Sequence, residues 1–247
     1  MIGIARSMEA IVLAGGLGTR LRSVVAGVPK AMAPVAGRPF LEHLLDLLVD
    51  AGFASAVLAV GYRADAIREH FGDRYRSLPL AYSVEGKPLG TGGAIRLAMN
   101  HTSSSDTFVV NGDTFVDVAF SAMLAAHRGA NARLTIAVHE VPDAARYGVL
   151  DIAGDRVQGF FEKGRAGPGW INAGVYLLAR TLLDGEALPT AFSFESDYLV
   201  PNVVALRPLA FRTEGLFIDI GVPEDFARAQ SMLVTPLPAS FPPKVRR

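Results

Sequence analysis

The residues able to do chemistry in this chain gather at four places, and the first is rich in glycine. The run Leu13-Ala14-Gly15-Gly16-Leu17-Gly18-Thr19-Arg20 ends a short apolar stretch, and Lys30 follows with no acid between it and Arg20. Glycine lets backbone N–H groups close on a phosphate, and a turn of this kind aims several of them at one anion. Arg20 offers a guanidinium fork for a triphosphate, and Lys30 offers a point charge. The spacing is neither that of the Walker loop nor that of the dinucleotide fingerprint. On glycine spacing alone, an ordinary strand-to-helix turn with two surface cations accounts for the same residues equally well.

The second place is Glu85-Gly86-Lys87-Pro88-Leu89-Gly90-Thr91-Gly92-Gly93-Ala94. Gly90, Gly92 and Gly93 free the backbone to lie against a flat ring, with a helix expected near 94–100. Glu85 is either a ligand for a base or ribose or a plain structural acid. The third place is Val110-Asn111-Gly112-Asp113, an aspartate delivered by an apolar strand to the end where open α/β sheets bind ligands. Its natural partner is Asp219, in Phe217-Ile218-Asp219-Ile220-Gly221. Two hard oxygen ligands with phosphate oxygens suit Mg²⁺. The competing reading of Asp219 is a turn or helix cap, since Gly221 and Pro223 follow.

The fourth place joins Glu162-Lys163 to Trp170-Ile171-Asn172-Ala173-Gly174. A surface ion pair explains Glu162-Lys163 as well as a site does, and the single tryptophan suits a core as well as a sugar face. Phe192–Tyr198 mixes aromatics with acids and is left between a site wall and a subunit contact. His43, His70, His101, His127 and His139 are scattered without the spacing of a zinc site or a proton relay, and are assigned to structure or surface.

These places need elements to hold them. Apolar runs at 10–13, 56–60, 80–84 and 107–110 alternate with helical patterns at 39–51, 64–71 and 94–100. That alternation predicts a Rossmann-like, mainly parallel sheet with helices on both faces, an α/β fold. Runs at 134–138, 148–152, 157–162 and 173–178 predict a small β-rich extension on the substrate side, and 226–232 a helix. One domain over 1–247 is expected, with its core at 8–232 and a proline-bearing tail at 233–247 held loosely.

Composition sets the limits. Half of the 247 residues are hydrophobic, so a large core forms without disulfides, and there is no cysteine to act as nucleophile or zinc ligand. Cationic and anionic side chains number 24 each, which gives no basic signature for nucleic acid. No apolar run reaches the roughly 18 residues of a membrane span, and the run at 10–14 is too short for a signal-peptide core. A cytoplasmic protein is expected, with Met1 or Met8 as its start. Neutral charge and an apolar composition allow a homodimer.

From Leu13 to Leu21, followed by Pro29-Lys30, the sequence resembles the signature of sugar-1-phosphate nucleotidyltransferases, although Ser23 stands where that family usually has proline. The resemblance runs from Glu9 to about Gln230. It implies that Leu13, Ala14, Gly15, Gly16, Gly18 and Thr19 wrap a nucleotide, with Arg20 and Lys30 on its phosphates. Glu85, Pro88, Gly90, Thr91, Gly92 and Gly112 would complete the nucleotide site. Asp113 and Asp219 would bind Mg²⁺, with Arg20 and Lys30 beside them as the catalytic set. Glu162 would bind sugar hydroxyls and Lys163 the sugar phosphate, with Asn172 and Gly174 beside the sugar.

The implied reaction joins a nucleoside triphosphate to a sugar 1-phosphate and releases pyrophosphate. The attacking phosphate is largely ionised near pH 7, because its second pKa is about 6, so no general base is needed. By overall resemblance, the combination of Pro88–Ala94, Phe161–Lys163, Trp170–Gly174 and Phe217–Phe226 is most similar to family members that use GTP and D-glycero-D-manno-heptose 1-phosphate, which implies GDP-heptose for bacterial surface polysaccharide. Mannose or glucose 1-phosphate is the nearer alternative. A non-catalytic nucleotide-sugar-binding subunit is the further one, and the joint presence of Lys30, Asp113, Lys163 and Asp219 argues against it.

Overall fold

The computed structural model describes residues 8–16, 21, 25, 27–161 and 166–234. The chain begins with β1 (Glu9–Leu13), a 3₁₀ turn (Lys30–Met32), the hairpin of β2 (Pro34–Val35) and β3 (Arg38–Pro39), α1 (Phe40–Asp50) and β4 (Ser55–Val60). It continues through α2 (Ala64–Phe71), β5 (Arg74–Tyr75), β6 (Leu78–Val84), α3 (Gly90–Ala98), β7 (Asp106–Asn111), β8 (Thr114–Val116) and α4 (Phe120–Gly129). Then come β9 (Leu134–Val141), β10 (Val149–Ala153), β11 (Arg156–Phe161) and β12 (Gly169–Ala179). A π-helical turn (Phe194–Leu199) runs into α5 (Val200–Leu206), followed by β13 (Leu209–Thr213), β14 (Phe217–Asp219) and α6 (Pro223–Met232).

The centre of the fold is the parallel set β7-β1-β4-β6. Its strands are near-continuous apolar runs, as expected of strands covered on both faces. Register places Ile11 beside Val57 and Val109, all turned to one face, where they pack with Ala94, Ile95 and Ala98 of α3 and Val203 of α5. Their neighbours Val12, Leu58 and Val110 turn to the other face, against Leu41 and Leu44 of α1, Ile67 of α2, Met123 of α4 and Ala229 of α6. The helices on both faces match the sequence expectation.

The later strands extend the central sheet beyond β7. β12 pairs antiparallel with β7, and β9, β13, β11 and β10 follow it in one ten-stranded mixed sheet. Only β9 and β13 run parallel among these. Pairing between β12 and β9 slips between Asn172 and Tyr176. Such a bulge bends a strand and re-aims its side chains. Gly174, at φ +75°, occupies it. Among the described residues no helix is long and apolar enough to cross a membrane.

Two boundaries differ from expectation. Leu233, placed by sequence in the tail, is buried in the core; the tail from 235 lies outside the described residues. α3 begins at Gly90, within the stretch read as a loop. Its first turn is pinned from outside: Gly92 N–H donates to the Phe192 carbonyl at 2.9 Å, and Phe192 N–H donates to the Leu89 carbonyl at 2.9 Å. A Cβ on Gly92 would lie 2.1 Å from the buried Phe192 ring. Replacing a helical glycine by alanine normally gains up to about 1 kcal/mol. Overpacking a closed core costs about 1–3 kcal/mol and outweighs it here. Gly92→Ala is therefore expected to lower Tm, and a thermal melt showing a rise would overturn this reading of Gly92.

Candidate active site at the carboxyl ends of the central strands

β1, β4, β6 and β7 all end on one side of the sheet, and the chain leaving each of them walls a cavity of about 700 Å³. That volume suits a nucleotide-sized ligand. The wall includes Leu13 at the end of β1 with Ala14, Gly15 and Gly16 after it, Gly61 after β4, Glu85, Pro88, Gly90 and Thr91 after β6, and Asn111 at the end of β7 with Gly112 and Asp113 after it. Hydrogen bonds lock these ends together: Ala14 N–H to the Ala59 carbonyl at 2.8 Å, and Gly112 N–H to the Leu13 carbonyl at 3.0 Å. A Cβ on Gly112 would sit 2.4 Å from that carbonyl oxygen, so the two strand ends approach this closely only with glycine there.

Glu85 stands on the cavity wall, its Oε2 accepting the Leu89 N–H at 2.8 Å. Burial pushes its carboxyl above the usual range, and the Leu89 N–H opposes that only in part. The room that the missing side chain of Gly92 leaves is filled by the Phe192 ring.

Lys30, Asp113 and Asp219 meet at the cavity's edge. The main chain turns at Gly112 to put Asp113 just before β8, and β14 pairs antiparallel with β8 so that Asp219 lies opposite Thr114. The Ile220 N–H donates to the Asp113 carbonyl at 3.0 Å, which ties the two acids together. Lys30 Nζ lies 2.6 Å from Asp113 Oδ2 and 3.8 Å from Asp219 Oδ1. Asp219 also accepts the Gly221 N–H at 2.7 Å. Burial, then repulsion from Asp113, pushes the Asp219 carboxyl up, while Lys30 pulls the other way. Two adjacent carboxylates that strain against one another are a hard-oxygen pair suited to a divalent cation. Among the described residues no third carboxylate or histidine joins them, so the remaining ligands would be phosphate oxygens and water.

Asn172 and Gly174 lie farther along, at the β12 bulge. Asn172 Oδ1 accepts the Gly174 N–H at 3.0 Å, and its Nδ2 donates to Tyr176 Oη and Glu195 Oε1, both at 2.6 Å. A Cβ on Gly174 would stand 2.9 Å from Asn111 Nδ2, so this corner touches the cavity wall. Sequence reasoning missed Tyr176 and left Glu195 unassigned in its aromatic-acidic segment. Asn172 and Tyr176 are four apart in a strand and so share a face, which was an available signal. Trp170 is half-buried with Arg212 over its ring at 5.4 Å, which favours packing over sugar contact. His43 and His127 are buried and hydrogen-bonded to the Val35 carbonyl and Thr135. Gly18, Thr19, Arg20, Glu162 and Lys163 lie outside the described residues.

A triphosphate-sized cavity floored by parallel strand ends, with a cation and paired carboxylates at its edge, is the arrangement of a phosphoryl-handling enzyme. Residues 9–235 match the nucleotidyl transferase family, and the chain belongs to it. Over 92% of its length it is 40% identical to the D-glycero-alpha-D-manno-heptose 1-phosphate guanylyltransferase of Aneurinibacillus thermoaerophilus, covering 98% of that protein. The enzyme of the same name from Campylobacter jejuni is 39% identical over 89% of the chain and 97% of that protein. The crystal structure of HddC from Yersinia pseudotuberculosis complexed with GMP-PN superposes with a TM-score of 0.82 at 38% identity, covering 92% of this chain and 99% of that one. The UTP-bound UGPase of Acinetobacter baumannii, at 22% identity and a TM-score of 0.76, shares the fold.

Proposed function

We propose that this nucleotidyltransferase moves GMP from GTP to D-glycero-α-D-manno-heptose 1-phosphate, giving GDP-heptose and pyrophosphate in the cytoplasm. The observation that carries the transfer chemistry is the Lys30–Asp113–Asp219 cluster at the edge of the cavity. The choice of base and sugar rests on the two full-length guanylyltransferase relatives.

A sugar-phosphate oxygen attacks the α-phosphorus. The bond from that phosphorus to the bridging oxygen breaks, and pyrophosphate leaves with the electron pair. The attacking phosphate is already ionised near pH 7, so no side chain must take its proton. What remains is alignment and charge neutralisation. The backbone at 14–16 faces the phosphates, Lys30 neutralises them, and Arg20 and Lys163 are assigned to the triphosphate and the sugar phosphate by resemblance. Asp113 and Asp219 would hold Mg²⁺, which when bound supplies further positive charge at the phosphates.

Four nucleoside triphosphates assayed against heptose, mannose and glucose 1-phosphates decide the substrates. GTP with the heptose is expected to give the highest kcat/KM, and turnover of dTTP with glucose 1-phosphate but not of GTP would sink the assignment. EDTA is expected to abolish pyrophosphate release and added MgCl₂ to restore it. Undiminished release in EDTA would remove the metal from the reading.

A further inference from the structure

We propose that Glu195 is a specificity residue that accepts hydrogen bonds from the hydroxyls of the sugar 1-phosphate, with Tyr176 and Asn172 holding its carboxylate in place. The proposal rests on the transfer reading above and names a residue that reads the acceptor.

Three observations carry it. First, two donors converge on one oxygen of an exposed acid: Asn172 Nδ2 at 2.6 Å and the Tyr176 hydroxyl both reach Glu195 Oε1. Among the described residues Oε2 has no hydrogen-bond partner, so one carboxylate oxygen is anchored while the other remains available. Second, the carboxylate is fixed from below. The Tyr176 ring is buried, edge-on to Phe194 at 5.3 Å between centroids, and the glutamate's own backbone carbonyl accepts the Val200 N–H. An exposed glutamate is ordinarily free to rotate, and ordering it this way is what a binding group requires.

Third, Glu195 is tied to the nucleotide cavity. Thr91, on the cavity wall, accepts the Phe194 N–H through Oγ1 at 2.9 Å. Just upstream, Arg96 of α3 donates to the carbonyls of Pro189 and Thr190 at 2.7 and 3.2 Å and lies over the Phe192 ring at 5.1 Å. On its other side, Asn172 shares the bulge of β12 with Gly174, which abuts Asn111 of the cavity wall. The segment bearing Glu195 is therefore fastened to α3 by these contacts.

The chemistry selects the ligand. A carboxylate repels phosphate, so Glu195 does not serve the triphosphate or the 1-phosphate. It accepts from neutral donors, and a sugar presents these as hydroxyls. Asn172 Oδ1 already accepts the Gly174 N–H, so among the described residues Glu195 is the carboxylate that offers an open acceptor at this corner.

The full chain carrying Glu195→Gln is compared with the wild type, using the triphosphate and sugar 1-phosphate that the substrate panel shows the wild type to prefer. If the wild type turns over another pair, the guanylyl-heptose reading fails while the Glu195 test proceeds with that pair. KM for the sugar 1-phosphate is expected to rise about 10-fold, as for loss of a hydrogen bond to a charged group, with KM for the triphosphate within about twofold. Calorimetric titration is expected to show weaker binding of the nucleotide diphosphosugar and unchanged binding of the nucleoside diphosphate. Glu195→Asp, which keeps the charge but withdraws it, is expected to give the same selective defect and decides the matter if the first variant does not fold. Tyr176→Phe removes the positioning hydroxyl and is expected to raise the same KM by a smaller factor. An unchanged sugar KM, or equal losses for sugar and triphosphate, overturns the proposal.

Discussion

Lys30→Met is expected to lower kcat/KM for nucleotidyl transfer by roughly 10²–10³-fold, the usual effect of deleting one charged group aimed at a reacting phosphate. Lys30 is 11% exposed and has two carboxylates as its partners, so its ammonium is held at the edge of the cavity. Methionine fills the space of the stem without the charge. The fold should survive, because Asp113 and Asp219 are 39% and 35% exposed and water screens their repulsion once the ammonium is gone. A second readout separates this from simple damage. Lys30 and a divalent cation neutralise the same two acids, so the variant has only the cation left. The rise in Tm on adding MgCl₂ should be larger for Lys30→Met than for wild type. Wild-type turnover at saturating substrate would end the transition-state role of Lys30. An equal or smaller Mg²⁺ shift would end the shared-carboxylate account.

That cluster also shows how a site can be half legible in a sequence. Asp113 was found because an apolar strand ends just before it, and Asp219 because it too follows an apolar run. Lys30 came from the glycine-rich signature. What no local pattern reveals is that Lys30 touches Asp113 across a separation of 83 residues. The two acids meet through the pairing of β8 with β14, strands of three residues each, too short for periodicity to register. β13, five residues long with an interrupted apolar pattern, finds its place by lying parallel to β9. α4 escaped because Phe120–Gly129 mixes small and apolar residues with only weak sidedness, and its helix depends on packing Phe120, Met123 and Leu124 into the core.

Glycines were the most ambiguous signal. Their spacing at 90, 92 and 93 indicates that something approaches the backbone closely, and sequence reasoning supplied a nucleotide ring. The structure sets the 190–192 segment against two of them: the Phe192 ring at Gly92 and the Thr190 carbonyl at Gly93. Gly112 carries the same signal for another reason, the carbonyl of Leu13. In each case glycine reports crowding, and only the three-dimensional neighbour says what crowds it. How the β-rich extension joins the sheet was hidden for a related reason. Nothing in the runs after 134 announces that β12 pairs with β7, which makes one sheet of both halves and sets the β12 bulge beside the cavity wall.

Base choice gives the second large effect. Glu85→Gln is expected to reduce kcat/KM with GTP by about 10²-fold or more and to narrow the gap between GTP and the other triphosphates. Guanine presents two adjacent donors, N1–H and the 2-amino group, and a carboxylate is their natural acceptor. Glutamine would turn one acceptor into a donor and leave buried polar groups mismatched, which is where hydrogen-bonding sites discriminate most strongly. Glu85 is placed for this, since Leu89 N–H fixes Oε2 and the side chain stands half-buried on the cavity wall. Burial raises its carboxyl pKa, so protonation begins at a higher pH than for a free glutamate. KM for GTP should therefore rise as the pH falls through that raised value, while the glutamine variant shows no such rise from this group. The stability of the empty protein runs the other way. A carboxyl raised by burial makes a contribution that is fully present below its unfolded pKa and is lost as the pH rises through the folded one. Guanine, by donating to the ionised form, offsets that loss, so GTP should raise Tm more at neutral than at acidic pH. A Glu85→Gln enzyme that keeps wild-type preference for GTP and the wild-type pH profile would remove Glu85 from base recognition and leave it as a strut for the Leu89 turn.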